Sequence, residues 1–198
     1  MPRPLNSIEL AEQGLLPDPL ARAGAHTPST RLLVANVVLF QLAWFACVWA
    51  AARGRAWFGI GAVLVVVLVF VLLAPRRPRA LLLMAAVTLI GAAWDSFVGA
   101  TGWLHYVGAP TAGWPAPPWI VAMWTLFATL LNVSLRWLRQ RWLLAILLGL
   151  IGGPVAYFGG ARLGAVSFAN LPAALLLQGA GWAALTPLLI ALGAKLER

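Results

Sequence analysis

Apolar residues dominate six long stretches of the chain, separated by short connections. The stretches cover residues 32–52, 56–74, 80–103, 117–138, 142–162 and 172–194. Each is close to the ~20 residues that an α-helix needs to cross about 30 Å of hydrocarbon. None alternates like a barrel strand, and a backbone in lipid must satisfy its own hydrogen bonds, so helices are expected. The pattern predicts an all-α, polytopic integral membrane protein, with residues 31–198 forming a six-transmembrane-helix bundle.

Residues 1–30 differ from the rest because they are polar and rich in proline. They lack the form of a secretory signal, which has a basic start followed by a continuous apolar core. We therefore expect a polar cytoplasmic tail, either disordered or with one short interfacial helix around the stretch SIELAEQGLL.

The fourteen Lys and Arg residues are divided unevenly between the two ends of the predicted helices. One side carries eleven of them: Arg3, Arg22, Arg31, Arg76, Arg77, Arg79, Arg136, Arg139, Arg141, Lys195 and Arg198. The other side carries three: Arg53, Arg55 and Arg162. Positive charge marks the cytoplasmic face, so both termini are expected on the cytoplasmic side of the membrane. In the long external connection, Trp114 and Trp119 are expected at the membrane interface.

Composition excludes several classes of function. With 62% hydrophobic and 10% charged residues, the chain has too little polar surface for a soluble domain, so its net charge of +9 indicates topology rather than nucleic-acid binding. A single cysteine, Cys47, and two histidines argue against a disulfide framework and a metal centre, and no cofactor is expected. No nucleotide-binding, hydrolase or metalloprotease fingerprint occurs, so no catalytic residue is assigned.

The few polar residues inside the apolar stretches fall at two depths. Asp95, Tyr157, Arg162 and Gln178 belong to the outer third, whereas Asn36 and Asn132 belong to the inner third and Gln41 lies near the middle. A charged residue at depth is costly and usually serves a substrate, ion or proton. Asp95 is therefore either part of a site or paired with Arg162 to lock two helices. Asn132 is equally a candidate ligand contact and a helix-fastening amide.

The fifth stretch is rich in glycine. Gly149 and Gly153, and again Gly160 and Gly164, are four residues apart and predict two faces for close helix approach, within the chain or in a homo- or hetero-oligomer. The segment Gly152, Gly153 and Pro154 predicts a helix break, which in transporters exposes backbone to a ligand. A packing kink without a ligand is the alternative.

Four blocks, NVVLFQLAWFACV, AAWDSFVGATG, LFATLLNVSLRWL and GGPVAYFGGARLGAV, resemble the bacterial inner-membrane family known as domain of unknown function 2878. The resemblance covers nearly all of the chain after the tail. It implies a small multi-span membrane protein without an agreed activity. The motif positions of the family correspond to Asn36, Gln41, Asp95, Asn132, Ser134, Gly152, Gly153, Pro154, Tyr157, Arg162 and Gly164.

Our leading hypothesis is that the protein binds or transports a polar-headed membrane lipid or small amphiphile in a polar pocket in the outer half of the bundle. The expected ligand-binding residues are Asp95, Arg162, Tyr157, Asn132, Gln178, Asn36 and Gln41. Two alternatives remain open: a lipid-modifying membrane enzyme with Asp95 as general base, and an accessory subunit of a membrane complex. The enzyme lacks an evident second catalytic group.

Overall fold

The computed structural model describes residues 28–110 and 115–197 and is predominantly helical, as the apolar pattern predicts. Its helices are α1 (Thr30–Ala52), α2 (Ala56–Leu73), α3 (Arg77–Ala100), α4 (Pro118–Leu131), α5 (Trp142–Arg162) and α6 (Leu171–Glu197). A 3-10 helix, Arg136–Leu138, and two strands, β1 (Leu104–Tyr106) and β2 (Val166–Phe168), complete the fold. The interfacial helix expected in the tail and the environment expected for Trp114 lie outside the described residues.

Five of the described helices are long and apolar enough to cross a membrane, the property of a multi-pass membrane protein. The shorter one, α4, has 14 residues and so rises about 21 Å. The apolar run predicts a helix as far as residue 138, but the α-helix ends at Leu131, where the regular backbone hydrogen-bond pattern stops. The Ser134 N–H donates to the Asn36 Oδ1 at 3.3 Å, and the Leu135 N–H reaches back five residues to the Leu130 carbonyl.

Ionic contacts bring three separate parts of the chain together at one end of the bundle, the arginine end. Here the Glu197 carboxylate pairs with Arg136 at 2.6 Å and with Arg139, and the Glu197 carbonyl accepts a 3.2 Å bond from Arg76. The connection after α2, the connection after α4 and the end of α6 therefore meet. Ser134, which follows α4, also donates to the Leu33 carbonyl at the start of α1. Successive helices thus alternate in direction.

The opposite end, the ribbon end, is closed by a small antiparallel ribbon that the sequence pattern did not predict. Leu104 pairs with Phe168, His105 with Ser167, and Tyr106 with Val166. Residues along β1 alternate between buried and exposed, so Tyr106 points into the bundle. The ribbon thereby ties the segment after α3 to the segment after α5.

The helices form two groups. Helix α4 packs against α1, α2 and α3, whereas α5 packs mainly on α6, which also contacts α3. Helices α1 and α5 pack on each other only sparsely, near the ribbon end where Trp44 approaches Gly159, and a cavity separates them elsewhere. Trp119, expected at the membrane interface, is instead buried beneath the ribbon end, where its indole N–H donates to the Val107 carbonyl at 2.9 Å. The interfacial interpretation of Trp119 is wrong.

Candidate functional site

The Asp95 carboxylate lies fully buried at the junction of α3, α4, α5 and β1. Its Oδ1 accepts two hydrogen bonds of 2.6 Å, from the Tyr106 hydroxyl and from the Tyr157 hydroxyl. Its Oδ2 accepts a third bond, also 2.6 Å, from the Trp124 indole N–H. A carboxylate offers about four acceptor positions, so three short bonds take most of its capacity. All three donors are uncharged, and through them the Asp95 carboxylate connects α3, α4, α5 and β1.

Close backbone approach explains how the indole reaches the carboxylate. A Cβ at Gly91, one helical turn before Asp95, would lie 1.8 Å from Cδ2 of Trp124. The indole of Trp124 therefore rests directly on the α3 backbone, where only glycine leaves room for it. Its other face stacks on Trp182 of α6, with ring centroids 4.7 Å apart and planes inclined by 15°.

Tyr106 keeps its proton in this environment. Burial, reinforced by the neighbouring Asp95 carboxylate, raises the pKa of Tyr106 well above the ordinary 10.0. The phenol is consequently a constant hydrogen-bond donor at neutral pH. It also ties the ribbon to the membrane-embedded part of the bundle.

The structure does not form the ion pair considered for Asp95 and Arg162. Salt bridges within the described residues involve Arg136, Arg139 and Glu197, and the Arg162 side chain is exposed at the last residue of α5. Phenol and indole donors satisfy Asp95 instead, and they do so without the cost of burying a second charge. Hydrogen bonds from Tyr106, Tyr157 and Trp124, rather than an ion pair with Arg162, hold the neighbouring elements to α3 at Asp95.

Gln178 lies next to this cluster, as predicted, and is fully buried. Its Oε1 accepts a 3.1 Å bond from the indole N–H of Trp94, which sits against Gly181 as closely as Trp124 sits against Gly91. Gln178 is also a hydrogen-bonding neighbour of the Asp95 carboxylate and the Tyr157 hydroxyl.

A cavity of about 690 Å³ extends from this cluster through the gap between α1 and α5. Its walls are mainly apolar and aromatic, with Phe40, Trp44 and Phe45 on α1 facing α5 across the gap. A small number of polar or charged residues contribute to the wall: Gln41, Asp95, Tyr157, Arg162, Trp182 and Thr186. Apolar walls with a few placed polar groups are typical of ligand pockets.

Two of the predicted site residues, Asn36 and Asn132, lie away from this cavity. The buried Asn36 amide donates to the Thr129 carbonyl at 3.3 Å, and its oxygen accepts from the Ser134 hydroxyl at 2.5 Å. It fastens α1 to the end of α4, as buried membrane amides commonly do. Asn132 accepts a 2.8 Å bond from Arg139 at the arginine end. The structure brings neither amide to Asp95.

The helix break expected at Gly152, Gly153 and Pro154 is not formed, because α5 is continuous from Trp142 to Arg162. Proline deprives the Leu150 carbonyl of its usual donor. That carbonyl packs against Gly179 of α6, where a Cβ would lie 3.3 Å away, so the neighbouring helix covers the defect. Gly152 has open space around its Cβ position and lines the cavity.

The first glycine face predicted for close helix approach is used inside the chain. A Cβ at Gly149 would lie 2.1 Å from the Trp182 carbonyl oxygen, and one at Gly153 would meet the Trp182 ring at 2.4 Å. This face is therefore not available to another chain. Gly164 forms the turn after α5 with a φ of 89°, which favours glycine. An oligomer through the Gly160 and Gly164 face stays a prediction.

Sequence reasoning missed five residues of the site: Tyr106, Trp94, Trp124, Trp182 and Thr186. The sequence analysis gave no role to these three tryptophans, although Gly91 and Gly181 stand where the indoles of Trp124 and Trp94 meet a helix backbone. Tyr106 depends on the ribbon register, which no local pattern marks. Within the described residues, no group of His, Cys, Asp or Glu could hold a metal ion.

Comparison with protein families places this architecture in a wider group. The family described as "Protein of unknown function (DUF2878)" matches residues 33–188, which include all the helices except the ends of α1 and α6. Comparisons with curated proteins and with solved structures found no match. The match includes Asp95, Tyr106, Trp124, Tyr157 and Trp182 and confirms the resemblance seen in the sequence blocks. The chain belongs to the DUF2878 family.

Proposed function

We propose that this protein binds one polar-headed lipid or small amphiphile in the cavity between α1 and α5. The observation that carries the proposal is the cavity itself: about 690 Å³, walled by aromatic and aliphatic side chains and provided with a few polar groups. Such a volume lies within the range of small-molecule sites, about 300–1,000 Å³. A protein that moves its cargo between leaflets would also need a site of this kind.

The proposed topology has six crossings, with both termini in the cytoplasm of a bacterial inner membrane. The eleven-to-three division of positive residues supports this orientation. The contacts of Glu197 with Arg76, Arg136 and Arg139 support the alternating direction of the helices that six crossings require. The short helix α4 would cross with help from the 3-10 helix that follows it. The ribbon end then faces outward.

A ligand would enter sideways from the bilayer. Helix α1 meets α2 and α4, and α5 meets α6, so the space between α1 and α5 is the natural opening for an alkyl chain. Arg162 stands at the ribbon end of this opening, at the last residue of α5. An exposed guanidinium near the membrane surface suits an anionic headgroup. The apolar walls would then hold the alkyl chain.

In this proposal Asp95 has a structural role, as a hydrogen-bond acceptor, and takes no part in a chemical reaction. Its oxygens are occupied by three donors at 2.6 Å, so it has little capacity left to remove a proton from a substrate. The same bonds fix the side chains of Tyr157 and Trp124, which form part of the cavity wall. This arrangement supports binding over the enzyme alternative.

Filling the cavity tests the proposal. Gly152 has no atom within 4 Å of its Cβ position and lines the cavity, so Gly152→Leu should occupy the space without a backbone clash. Gly61→Leu is the matched control because Gly61 also has open space, on the exposed side of α2. Each variant gains helix propensity, by about 1 kcal/mol. Both should therefore remain folded.

The measurement is the lipid retained by each purified protein, quantified by mass spectrometry after extraction from a mild maltoside detergent. We expect the wild type and Gly61→Leu to retain a defined species in near-stoichiometric amount and Gly152→Leu to lose it. Arg162→Gln should reduce anionic species selectively. Equal retention by the wild type and a folded Gly152→Leu protein would remove the cavity from consideration as the binding site.

A further inference from the structure

A second recess lies at the arginine end, between α1 and the segment that follows α4. It encloses about 650 Å³ and shares no wall residue with the cavity between α1 and α5. Its α1 side includes Val34, Val37 and Val38, and its opposite side includes Arg136 and Trp137 of the 3-10 helix. We call this recess the α1 groove.

The α1 side of the groove is apolar and open to the surroundings of the bundle. Val34, Val37 and Val38 are each about half exposed, although they belong to a helix of membrane length. From Val34 to Val38 the groove follows α1 for about 6 Å. The Trp137 side chain is also about half exposed, a common state for tryptophan at a membrane interface. Such a surface suits the upper part of one acyl chain.

The arginine end has a large excess of positive charge. Among the described residues, this end carries one carboxylate, Glu197, which already pairs with Arg136 and Arg139. The cations described at the same end are Arg31, Arg76, Arg77, Arg79, Arg136, Arg139, Arg141 and Lys195. Eight cations against one acid leave seven positive charges in excess, and these charges attract an anionic group to the membrane surface here.

Two of these cations lie close to the groove in space or along the chain. The Arg141 guanidinium lies 5.6 Å from the ring centroid of Trp137, which belongs to the groove wall. Arg31 stands in the first turn of α1, three residues before Val34, and this turn contains no acidic residue. Neither side chain forms a hydrogen bond or an ion pair within the described residues. Positive charge therefore meets an apolar groove at this end of α1.

We infer that the α1 groove binds one anionic phospholipid from the leaflet at the arginine end. Its phosphate contacts Arg141, because a guanidinium donates to phosphate oxygens through parallel N–H groups, and Arg31 adds positive charge from the α1 side. One acyl chain follows the valines of α1. A second copy of the chain is a poor occupant, since a two-fold contact through this face would bring like charges together.

Fluorescence quenching of Trp137 by brominated lipids tests the inference in a bilayer, where an open groove exchanges its lipid. The protein is reconstituted into phosphatidylcholine vesicles that contain a minor, fixed share of phosphatidylglycerol. In one preparation the phosphatidylglycerol is brominated in its acyl chains, and in the other an equal mole fraction of phosphatidylcholine is brominated. The contribution of Trp137 is the difference between the wild type and Trp137→Phe, because the other tryptophans are common to both.

We expect the relative affinity at Trp137 to favour phosphatidylglycerol about fivefold, because the attraction of one arginine to an anionic lipid corresponds to roughly that ratio. Arg141→Gln should bring the two lipids close to equality, and high salt should weaken the preference of the wild type. The matched control is Arg55→Gln. Arg55 is exposed and stands at the N-cap of α2 as Arg141 stands at the N-cap of α5, but it lies at the ribbon end, so the preference should be unchanged.

Three results would overturn the inference. Equal quenching by the two lipids in the wild type would show ordinary boundary lipid at Trp137. Quenching by neither lipid would show that residues 1–27 or a second copy covers the groove. A preference that persists in full in Arg141→Gln would remove the phosphate from Arg141. None of these results bears on the cavity between α1 and α5, whose test is the lipid retained by the purified protein.

Discussion

The role of Asp95 leads to a prediction about stability that depends on what remains when the acid is removed. Replacing Asp95 with leucine leaves three buried donors without an acceptor: the hydroxyls of Tyr106 and Tyr157 and the indole N–H of Trp124. An unpaired buried donor costs about 1–3 kcal/mol. Relief from burying a carboxylate offsets part of the sum, so we expect a net loss of about 3–5 kcal/mol in the free energy of unfolding.

Asparagine at the same position should be milder. Its oxygen can accept from Trp124, which only donates, while its amide N–H groups point to the phenol oxygens, which can accept. The hydrogen bonds then persist but are no longer charge-assisted. We expect Asp95→Asn to lose about 1–2 kcal/mol, less than Asp95→Leu.

A double-mutant cycle shows whether the unpaired donors cause the loss. Tyr157→Phe should destabilise the wild type, because Asp95 loses a bond, but it should stabilise or leave unchanged the Asp95→Leu background, where the hydroxyl has no partner. Unfolding by SDS in mixed micelles, followed by circular dichroism, gives the four free energies. The same loss from Tyr157→Phe in both backgrounds would refute the assignment of Asp95 as the acceptor that organises the cluster.

Three further predictions concern packing, fastening and pH. Gly91→Ala should cost about 1–3 kcal/mol in the same unfolding assay, because its Cβ would lie 1.8 Å from the Trp124 ring, whereas Gly61→Ala, with open space, should cost nothing. Asn36→Leu should lower the free energy of unfolding by about 1–3 kcal/mol, because the Thr129 carbonyl and the Ser134 hydroxyl lose their bonds to Asn36. A free energy of unfolding equal to that of the wild type would contradict the role of Asn36 in joining α1 to α4. The raised pKa of Tyr106 predicts a stability contribution that is fully present below pH 10.0, the ordinary pKa of the unfolded phenol, and lost as the pH rises toward the folded value. Alkaline denaturation should be shallower in Tyr106→Phe, and an unchanged pH profile would contradict the prediction.

The sequence was sufficient for the helical architecture because its determinants are local. Apolar runs of membrane length must form helices in lipid, whatever their neighbours. The importance of Asp95 could also be recognised from the sequence, because inserting a lone acid within an apolar membrane segment costs free energy. Helix direction and rise put Gln178 and Tyr157 at the level of Asp95, and both side chains lie beside it.

The partners of Asp95 could not be found in this way because they depend on tertiary contacts. Depth alone favoured Arg162, whose side chain is exposed and forms no salt bridge with Asp95. The true donors include Tyr106, whose position depends on a three-residue pairing with β2. The continuity of α5 through Pro154 likewise depends on the packing of Gly179 against the Leu150 carbonyl. Neither contact leaves a periodic pattern in the sequence.

The central claim is that the gap between α1 and α5 holds a ligand, and native mass spectrometry tests it most directly. The protein would be released from nanodiscs of defined lipid composition and weighed intact. We predict a wild-type species heavier than the bare chain by one amphiphile, and a Gly152→Leu species at the mass of the bare chain. A bare wild-type chain, or a bound amphiphile that a folded Gly152→Leu protein retains in full, would contradict the account.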